Sequence, residues 1–454
     1  MAGTAEIAER IWARDGSLWT GSGEERWLGW LDEPARMRAR VAELEAFAES
    51  VAADGLTDTV LLGMGGSSLA PEVLRRTYSA ERFTVLDTTH PAAILPLAES
   101  LDPERTLFVV ASKSGTTLET RCHLDFFWER AGRRGERFVA ITDPGSELEA
   151  LARARGFRAV FLGVPEIGGR YSALSVFGLV PAALMRVDLA ALIDRAVETA
   201  AACRAEEGNP GLELGLRLGG GWREGRDKVL IGPNPPGFGL WVEQLLAEST
   251  GKDGKGLVPV VGESTAGPDR QVVTPRISEP ADLGAELFRF ELATAVAGAL
   301  MGVNPFDQPN VQEAKDRTAA IIAGGAQPSV QPVGSLEALL AQARPGDYFC
   351  VQAFLAPSAE ADARIEALRA RVRAETGVVT TAGYGPRYLH STGQLHKGGP
   401  PTGLFLQVVD DPPDLEIPGR PFGFRRLILA QAQGDLEALA ERGRRTARVR
   451  FEDL

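Results

Sequence analysis

The chain has 454 residues, which is too long for one small core and predicts two or three domains. Its hydrophobic fraction of 44% and charged fraction of 24% are ordinary for a globular protein. A net charge of −12 with no long basic run argues against nucleic acid as a partner. The longest mostly apolar stretch, residues 171–187, is broken by Pro181 and Arg186, so no membrane partner is expected.

The chain ends and the cysteines indicate a compartment. The first residues lack the basic and apolar regions of a signal peptide. The three cysteines are scattered, without metal-ligand spacing. We therefore expect a cytoplasmic protein with reduced thiols and no bound metal.

Helical and β-rich segments alternate along the first part of the chain. Residues 1–55 are predicted to be helical. Short β-rich runs then recur at intervals of roughly 20 to 30 residues with helical patterns between them, which predicts βαβ units and a parallel sheet. Their nearly continuous apolar character indicates burial on both faces. The predicted strands are residues 59–62, 83–86, 107–111, 138–141 and 159–162.

A polar stretch at residues 206–211, after a predicted helix over 182–202, marks a soft domain boundary. Alternation then resumes, so we predict an α/β protein: residues 1–205 hold the N-terminal helices and a first domain, 206–400 a second domain, and 401–454 a terminal arm. The predicted strands are 229–231, 257–261, 348–355, 377–381 and 404–409, and the predicted helices are 240–248, 285–301, 311–322, 359–375 and 435–444.

The segment after the predicted strand 107–111 has the composition of a phosphate-binding loop. It offers hydroxyls, one glycine and one lysine at the start of a predicted helix, where backbone N–H groups and the helix dipole favour an anion. A loop that only caps the helix is the alternative. We predict a site for a small phosphorylated molecule at Ser112, Lys113, Ser114, Thr116 and Thr117.

A second glycine-rich loop, residues 63–68, follows the first predicted strand. It nearly fits a dinucleotide-binding fingerprint, with Asp87 in place of the ribose-binding acid, but Ser68 stands where the third glycine belongs. Alternatively, Gly66 and Ser67 form a second phosphate or sugar loop, which the neighbouring hydroxyl-rich loop favours.

Charged residues in three later motifs are candidates for catalysis. Arg170, beside Gly169, places a positive charge where the backbone can approach a ligand closely. Gln244 and Glu248 share one helix face, and a carboxylate there can act as a general base. Lys315 lies in the early turns of a helix, against the helix dipole. Solvent-facing roles are the alternatives for all of these residues.

Two of the four histidines, His390 and His396, lie in a glycine-rich loop where a histidine can transfer a proton near neutral pH. A structural role is the alternative for either. No zinc-binding pattern is present in the sequence.

Together these motifs resemble the phosphoglucose isomerase family. The stretches that carry the resemblance span residues 62–315 in the family's order: LGMGGSSLAP, ASKSGTTLET, GGRYSALSVFGL, EQLLAESTGK and NPFDQPNVQEAK. The variant is similar to the isomerase half of bacterial fusions with transaldolase. The resemblance implies two sugar-isomerase (SIS-type) doubly wound parallel-sheet domains with a helical N-terminal segment and a C-terminal arm, and a homodimer with shared active sites.

The resemblance also implies reversible isomerisation of glucose 6-phosphate and fructose 6-phosphate through a cis-enediolate, without cofactor or metal. It implies that Glu248 moves the proton, Arg170 stabilises the enediolate, and Lys315 and His390 assist ring opening. The residues implied in substrate and phosphate binding are Gly66, Ser67, Ser112, Lys113, Ser114, Thr116, Thr117, Glu119, Gly169 and Gln244.

The chain departs from the family pattern at two places. The LHSTGQ motif containing His390 follows the FDQ motif, whereas in the family the histidine motif usually precedes it, so His396 remains an alternative. Asn310 stands where the family usually has Gly or Ala.

Three other functions remain open at this point. The chain could be a non-catalytic phosphosugar-binding sensor, which the presence of Glu248 with Arg170 and Lys315 disfavours. It could isomerise mannose 6-phosphate as well. It could be a nucleotide-dependent dehydrogenase, which Ser68 disfavours.

Overall fold

The computed structural model describes residues 4–233, 235–263, 266–325 and 327–454. Its strands are β1 (Asp58–Gly63), β2 (Phe83–Leu86), β3 (Thr106–Ala111), β4 (Phe138–Thr142), β5 (Ala159–Leu162), β6 (Lys228–Ile231), β7 (Val258–Val261), β8 (Arg270–Val273), β9 (Tyr348–Phe354), β10 (Val379–Tyr384), β11 (Gly403–Val409) and β12 (Arg445–Arg450).

The α-helices are α1 (Thr4–Trp12), α2 (Glu33–Arg38), α3 (Val41–Ala53), α4 (Leu69–Thr77), α5 (Pro91–Ser100), α6 (Leu118–Arg130), α7 (Glu147–Ala154), α8 (Val176–Leu184), α9 (Leu189–Ala202), α10 (Pro210–Arg223), α11 (Phe238–Thr250), α12 (Asp282–Met301), α13 (Val311–Ala323), α14 (Leu336–Leu340), α15 (Ala359–Thr376), α16 (Gly393–Gly398) and α17 (Phe424–Glu441). Short 3-10 helices lie at Gly16–Leu18, Glu24–Trp27, Gly29–Asp32, Gly65–Ser67, Gly135–Arg137, Gly169–Tyr171, Arg387–His390 and Phe451–Asp453.

The first sheet has five parallel strands in the order β2-β1-β3-β4-β5. Alternate residues of its strands enter different hydrophobic clusters: Leu61 and Val109 pack on one face, Leu62 and Val110 on the other. Both faces are therefore covered, as the apolar strands predict. Because the chain crosses from β1 to β2 on one side and then to β3 on the other, the loops after β1 and β3 lie at a topological switch point.

The second half of the chain forms two further parallel sheets. One has the order β7-β6-β8 and the other β10-β9-β11-β12. Their edge strands β7 and β10 are joined by side chains: Glu263, just beyond β7, accepts the backbone N–H of Thr380 in β10 at 3.0 Å and a hydrogen bond from Arg373 at 3.0 Å. Arg369 donates to the carbonyls of Val261 and Thr380 at 3.0 and 3.1 Å.

The α/β class and the parallel sheets are confirmed, and the ten predicted strands correspond to β1–β7 and β9–β11. Two strands, β8 and β12, are not predicted. β12 is rich in arginine, so its sequence does not show the apolar pattern of a buried strand. Its Arg448 is nevertheless only 2% exposed, and its guanidinium donates to Gln407 on the neighbouring strand at 2.7 Å. In β8, Val272 is 44% exposed, so burial gives this short strand no clear pattern.

Two predicted helices differ from the structure. The helix predicted over 182–202 is wrong as one element, because α8 ends at Leu184 and α9 begins at Leu189. Arg186 between them has a φ of 62°, a left-handed conformation that ends a helix. The last helix, α17, begins at Phe424, whereas the sequence predicts its start at 435. Most residues of its first turns are buried, so the sequence shows no amphipathic period there.

The residues predicted to form a terminal arm supply β11 and β12 to the four-stranded sheet, next to β9. The domain limits at residues 205 and 400 stay a prediction. Among the residues that the structure describes, no helix has the length and apolarity to cross a bilayer.

Candidate active site

The glycine-rich loop after β1 lies against the second half of the chain at Gly65 and against Gly169 at Gly66. Gly65 has a φ of 56°, and a Cβ there would lie 2.9 Å from the His390 carbonyl and 3.2 Å from Nε2 of Gln244. A Cβ on Gly66 would lie 2.0 Å from the Gly169 carbonyl. Both positions therefore require glycine for close backbone approach. Ser67 is buried at the end of this turn.

The loop after β3 holds its own hydroxyls in place. Ser112 Oγ donates to Thr117 Oγ1 at 3.0 Å and accepts the N–H of Gly115 at 3.2 Å. Ser114 Oγ and Thr116 Oγ1 lie 3.0 Å apart on the exposed side. The loop therefore presents hydroxyls in a fixed arrangement at the start of α6.

The ammonium of Lys113 has partners within the fold. It lies 2.5 Å from Oδ2 of Asp143, which follows β4, and 3.1 Å from the Val164 carbonyl. Burial raises the pKa of Asp143 above its usual range although Lys113 opposes this. Within this loop, Lys113 therefore connects the carboxyl end of β3 to the segments that follow β4 and β5.

Gln244 and Glu248 lie on one face of α11, as their spacing predicts. Gln244 Nε2 donates to Oε2 of Glu248 at 3.0 Å and to the His390 carbonyl at 2.8 Å. The side chain of Glu248 is only 12% exposed. This carboxylate is therefore held in a fixed position, with one oxygen bonded to an amide.

The guanidinium of Arg170, 2% exposed, faces the other oxygen of Glu248, with Nη1 3.5 Å from Oε1. Its other groups are bonded: Nε to Ser249 Oγ at 2.7 Å, and Nη2 to the carbonyls of Pro305 and Asp307 at 2.7 and 2.9 Å. Nη1 also donates to Gln308 Oε1 at 3.0 Å. A fixed positive charge thus lies beside a fixed carboxylate.

The ring of His390 contacts Glu119 at the start of α6. Its Nε2 lies 2.8 Å from Oε1 of Glu119, and Gln431 donates to the same oxygen at 2.7 Å. Burial alone would raise the pKa of Glu119, but His390 and the more distant Lys315 hold it at about 2. Glu119 is therefore a buried carboxylate that orients the His390 ring.

A cavity of about 310 Å³ lies between the loop after β3, α13 and the turn that carries His390, and neither Glu248 nor Arg170 is among its lining residues. Its walls include Ser114, Thr116, Thr117, Glu119, Lys315 and His390. The exposed Lys315 reaches it from α13. A volume of this size suits a small ligand.

Of the two histidine alternatives, only His390 lines this cavity. His396 is buried beside Gln352 and Cys350, and burial followed by the charge of Lys397 lowers its pKa well below the usual range. A neutral structural histidine is the result.

Asp87, which the nucleotide-binding interpretation assigns to a ribose, is also occupied. Arg387 holds both of its oxygens at 2.8 and 2.9 Å, and its side chain is 4% exposed. It is not available to bind a ribose.

Several residues of the site carry no local signal in the sequence. Ser249 and Gln308 hold Arg170, and Gln431 holds Glu119 from a helix 312 positions away. Lys252 donates to the carbonyls of Asn304 and Asp307, both at 2.6 Å, and burial lowers its pKa to about 8. For Lys252 the sequence offers one signal: a lysine is rare in a chain with six Lys and 43 Arg.

Comparison with known proteins shows similarity to glucose-6-phosphate isomerases. A phosphoglucose isomerase family model matches residues 33–191. The glucose-6-phosphate isomerase of Rubrobacter xylanophilus is 29% identical over 409 residues, which span 69% of this chain and 92% of that enzyme. The glucose-6-phosphate isomerase of Thermus thermophilus is 40% identical over 174 residues, 37% of this chain and 41% of that enzyme.

Over residues 33–191 the chain matches the phosphoglucose isomerase family, so the family resemblance of its motifs is confirmed.

Two solved structures have a similar fold. A glucose-6-phosphate isomerase from Chlamydia trachomatis superposes with a TM-score of 0.52 at 21% identity, covering 70% of this chain and 78% of that one. A hypothetical protein from Thermus thermophilus superposes with a TM-score of 0.51 at 24% identity, covering 98% and 83% respectively.

Proposed function

We propose that this protein interconverts glucose 6-phosphate and fructose 6-phosphate, with Glu248 as the catalytic base. The observation that carries the proposal is the buried pair in which Arg170 Nη1 lies 3.5 Å from the Glu248 carboxylate. The names of the similar enzymes supply the substrates.

The exchange of an aldose for a ketose moves one proton between neighbouring carbons. Glu248 takes the proton from one carbon and returns it to the other, because one carboxylate can reach both carbons on the same face of a cis-enediolate. The negative charge that develops on the sugar oxygen is stabilised by Arg170, whose position is already fixed by four hydrogen bonds. Gln244 keeps the carboxylate oriented.

The sugar phosphate binds at the loop after β3, where Ser114, Thr116 and Thr117 face the cavity at the N-terminus of α6. The loop between β1 and α4, with Gly66 and Ser67, closes one side of the sugar site. The phosphate thus anchors one end of the substrate while the other end reaches α11.

Opening of the sugar ring requires a proton donor and acceptor at the ring oxygen and the anomeric hydroxyl. His390 supplies this function, oriented by Glu119 at 2.8 Å. Lys315 approaches the same cavity from α13 and supports the developing charge.

The site is assembled from one chain. His390 contacts Glu119 and Gln244 of its own subunit through its ring and carbonyl. The homodimer stays a prediction, and we propose that such a dimer works without sharing active-site residues between subunits.

The test is a coupled assay in which fructose 6-phosphate is supplied and glucose 6-phosphate is oxidised by its dehydrogenase. Loss of a general base reduces turnover about 10²- to 10⁴-fold, so Glu248→Gln should do the same while phosphosugar binding is kept. The matched control is Glu360→Gln, a 74% exposed carboxylate far from the cavity, which should leave turnover unchanged. A wild-type chain that binds the phosphosugar without turnover would leave only the sensor function.

A further inference from the structure

A second and larger cavity, of about 490 Å³, shares no lining residue with the substrate cavity. It is enclosed by α4, the first half of α11, α15, β10 and the turn that carries His390. None of its walls is shared with the substrate phosphate loop. Its volume is typical of sites for small metabolites.

The cavity opens where the two sheets of the second half diverge. Val261 at the carboxyl end of β7 and Tyr384 at the carboxyl end of β10 both line it. Ligands of open parallel sheets bind in such crevices, beyond the carboxyl ends of the strands.

The free edge of β10 contributes backbone groups. Gly385 donates to β9, whereas Thr380 directs its N–H and carbonyl away from β9 to Glu263 and Arg369. Since this pattern alternates along a parallel edge strand, the N–H and carbonyl of Ala382 face the cavity that Ala382 lines.

The lining is rich in arginine. Arg76, Arg369 and Arg387 come from three different elements and converge on the cavity. Each arginine also pairs with a carboxylate: Arg76 with Glu72, Arg369 with Glu366 at 2.9 Å, and Arg387 with Asp87. Asp362 accepts a hydrogen bond from the Tyr384 hydroxyl at 2.6 Å.

Glu243, one residue before Gln244, projects into the cavity. Its carboxyl makes no hydrogen bond or ion pair with any residue in the described ranges of the chain. Burial raises its pKa to about 8, with Arg369 and Arg387 opposing, so at pH 7 it is mostly a neutral acid that can donate a hydrogen bond. A protonated Glu243 carboxyl with arginines nearby can donate a hydrogen bond to an anionic ligand.

The start of α11 adds to this field. Gly237 has a φ of 91° and no side chain caps the helix, so its first N–H groups and the positive end of its dipole lie beside the cavity. Glycines at 237 and 239 keep this end clear of side chains.

We propose that this cavity is a second binding site, for a small organic anion bearing a phosphate or carboxylate group, and that its occupancy regulates the isomerase. The second half of this statement rests on the proposed function. The contact is direct, because Arg387, Tyr388, Ser391 and Thr392 line the cavity and surround His390 in sequence. A ligand held by Arg387 therefore acts on the position of the ring-opening histidine.

Binding is measured by titration calorimetry on the full chain with inorganic pyrophosphate and, separately, citrate, neither of which can be isomerised. At least one should bind with a Kd below about 1 mM. Which one binds decides between the two head groups.

Two neighbouring arginines give a matched pair of variants. Both Arg75 and Arg76 pair with Glu72, but only Arg76 lines the cavity. Arg76→Glu should weaken binding about tenfold or more, as expected for the loss of one charged contact and its reversal. Arg75→Glu, with the same change in net charge, should not.

Two further variants complete the design. Leu240→Trp, which fills the cavity, should also abolish binding and replaces Arg76→Glu if that chain does not fold. Ser114→Ala/Thr117→Val, which weakens the substrate phosphate loop, should leave binding intact. Binding lost only in the loop variant, equal losses in both arginine variants, or no binding of either probe would each overturn the site.

Regulation is tested separately, in the coupled assay at saturating fructose 6-phosphate. The bound probe should change kcat of the wild-type chain and not of Leu240→Trp. Binding without any change in kcat would overturn the regulatory role alone. A chain without turnover would refute the proposed function and the regulatory role, and the calorimetry would still decide the site.

Discussion

Glu119 shows how a single buried carboxylate connects stability to the site. Its pKa is held at about 2 because the neighbouring His390, with Lys315 farther off, outweighs the opposing effect of burial. Since this lies below the ordinary value of 4.5, ionised Glu119 stabilises the fold at every pH above 4.5. That contribution is lost as the pH falls from about 4.5 towards 2.

Replacing this carboxylate tests whether ionised Glu119 raises or lowers the free energy of unfolding. Glu119→Gln should lower the free energy of unfolding at pH 7, and the deficit relative to wild type should shrink as the pH falls below 4.5. Urea unfolding at a series of pH values measures it, with Glu360→Gln as the exposed control. A deficit that stays constant down to pH 2.5 or grows towards acid pH would contradict the assigned role of Glu119.

The residue types of the site were readable from the sequence, but their partners were not. Lys113 is an example: the loop predicts an ammonium for phosphate, whereas in the fold its charge is matched by Asp143, which follows the next strand. Likewise, the residues around Gln431 in the sequence do not indicate that it donates a hydrogen bond to Glu119. Such pairs depend on how strands and helices meet, which one sequence does not encode by spacing.

At the scale of elements, the site depends on two turns that touch through their backbones. Gly66, in the turn after β1, approaches the Gly169 carbonyl so closely that a Cβ would lie 2.0 Å from it. Neither partner is a flexible side chain, so the turns must separate if a methyl group is added.

Gly66→Ala should therefore destabilise the fold by about 1 to 3 kcal/mol, the usual cost of overpacking, and reduce turnover by displacing the sugar loop. Gly169→Ala is a matched control for stability, since a Cβ at 169 meets no atom within 4 Å among the described residues. Thermal unfolding of both variants checks this. Equal stability of the two would show that the turns are not in contact.

Elements with a clear period were predicted well and those without one were not. The apolar strands of the first sheet were found because they are buried on both faces. β12 escaped prediction because Arg448 lies inside the protein, paired with Gln407. The order of the strands is not predicted, because the rules of parallel sheets allow more than one order for the same set of strands.

For the whole molecule, the departure of His390 from the family's usual order has a structural counterpart. The segment 387–398 follows β10 and returns to the first half of the chain, where His390 contacts Glu119. We therefore propose that the candidate site is complete within one subunit.

Mixing two inactive variants distinguishes this arrangement from shared sites. Co-expressed Glu248→Gln and His390→Ala chains should show no recovery of turnover. Random dimers with shared sites would instead recover about a quarter of wild-type activity, because half of the dimers would hold one intact site. Recovery near that level would contradict assembly of the site from one chain.

The central claim is that Glu248 transfers a proton between neighbouring sugar carbons. It is tested most directly by isomerising fructose 6-phosphate in D₂O and measuring deuterium at C2 of the glucose 6-phosphate by NMR. We expect deuterium at C2 with the wild-type chain, because a carboxylate that holds the proton can exchange it with solvent, and neither exchange nor product with Glu248→Gln. Product formed at an undiminished rate by Glu248→Gln would contradict the role of Glu248 as the base.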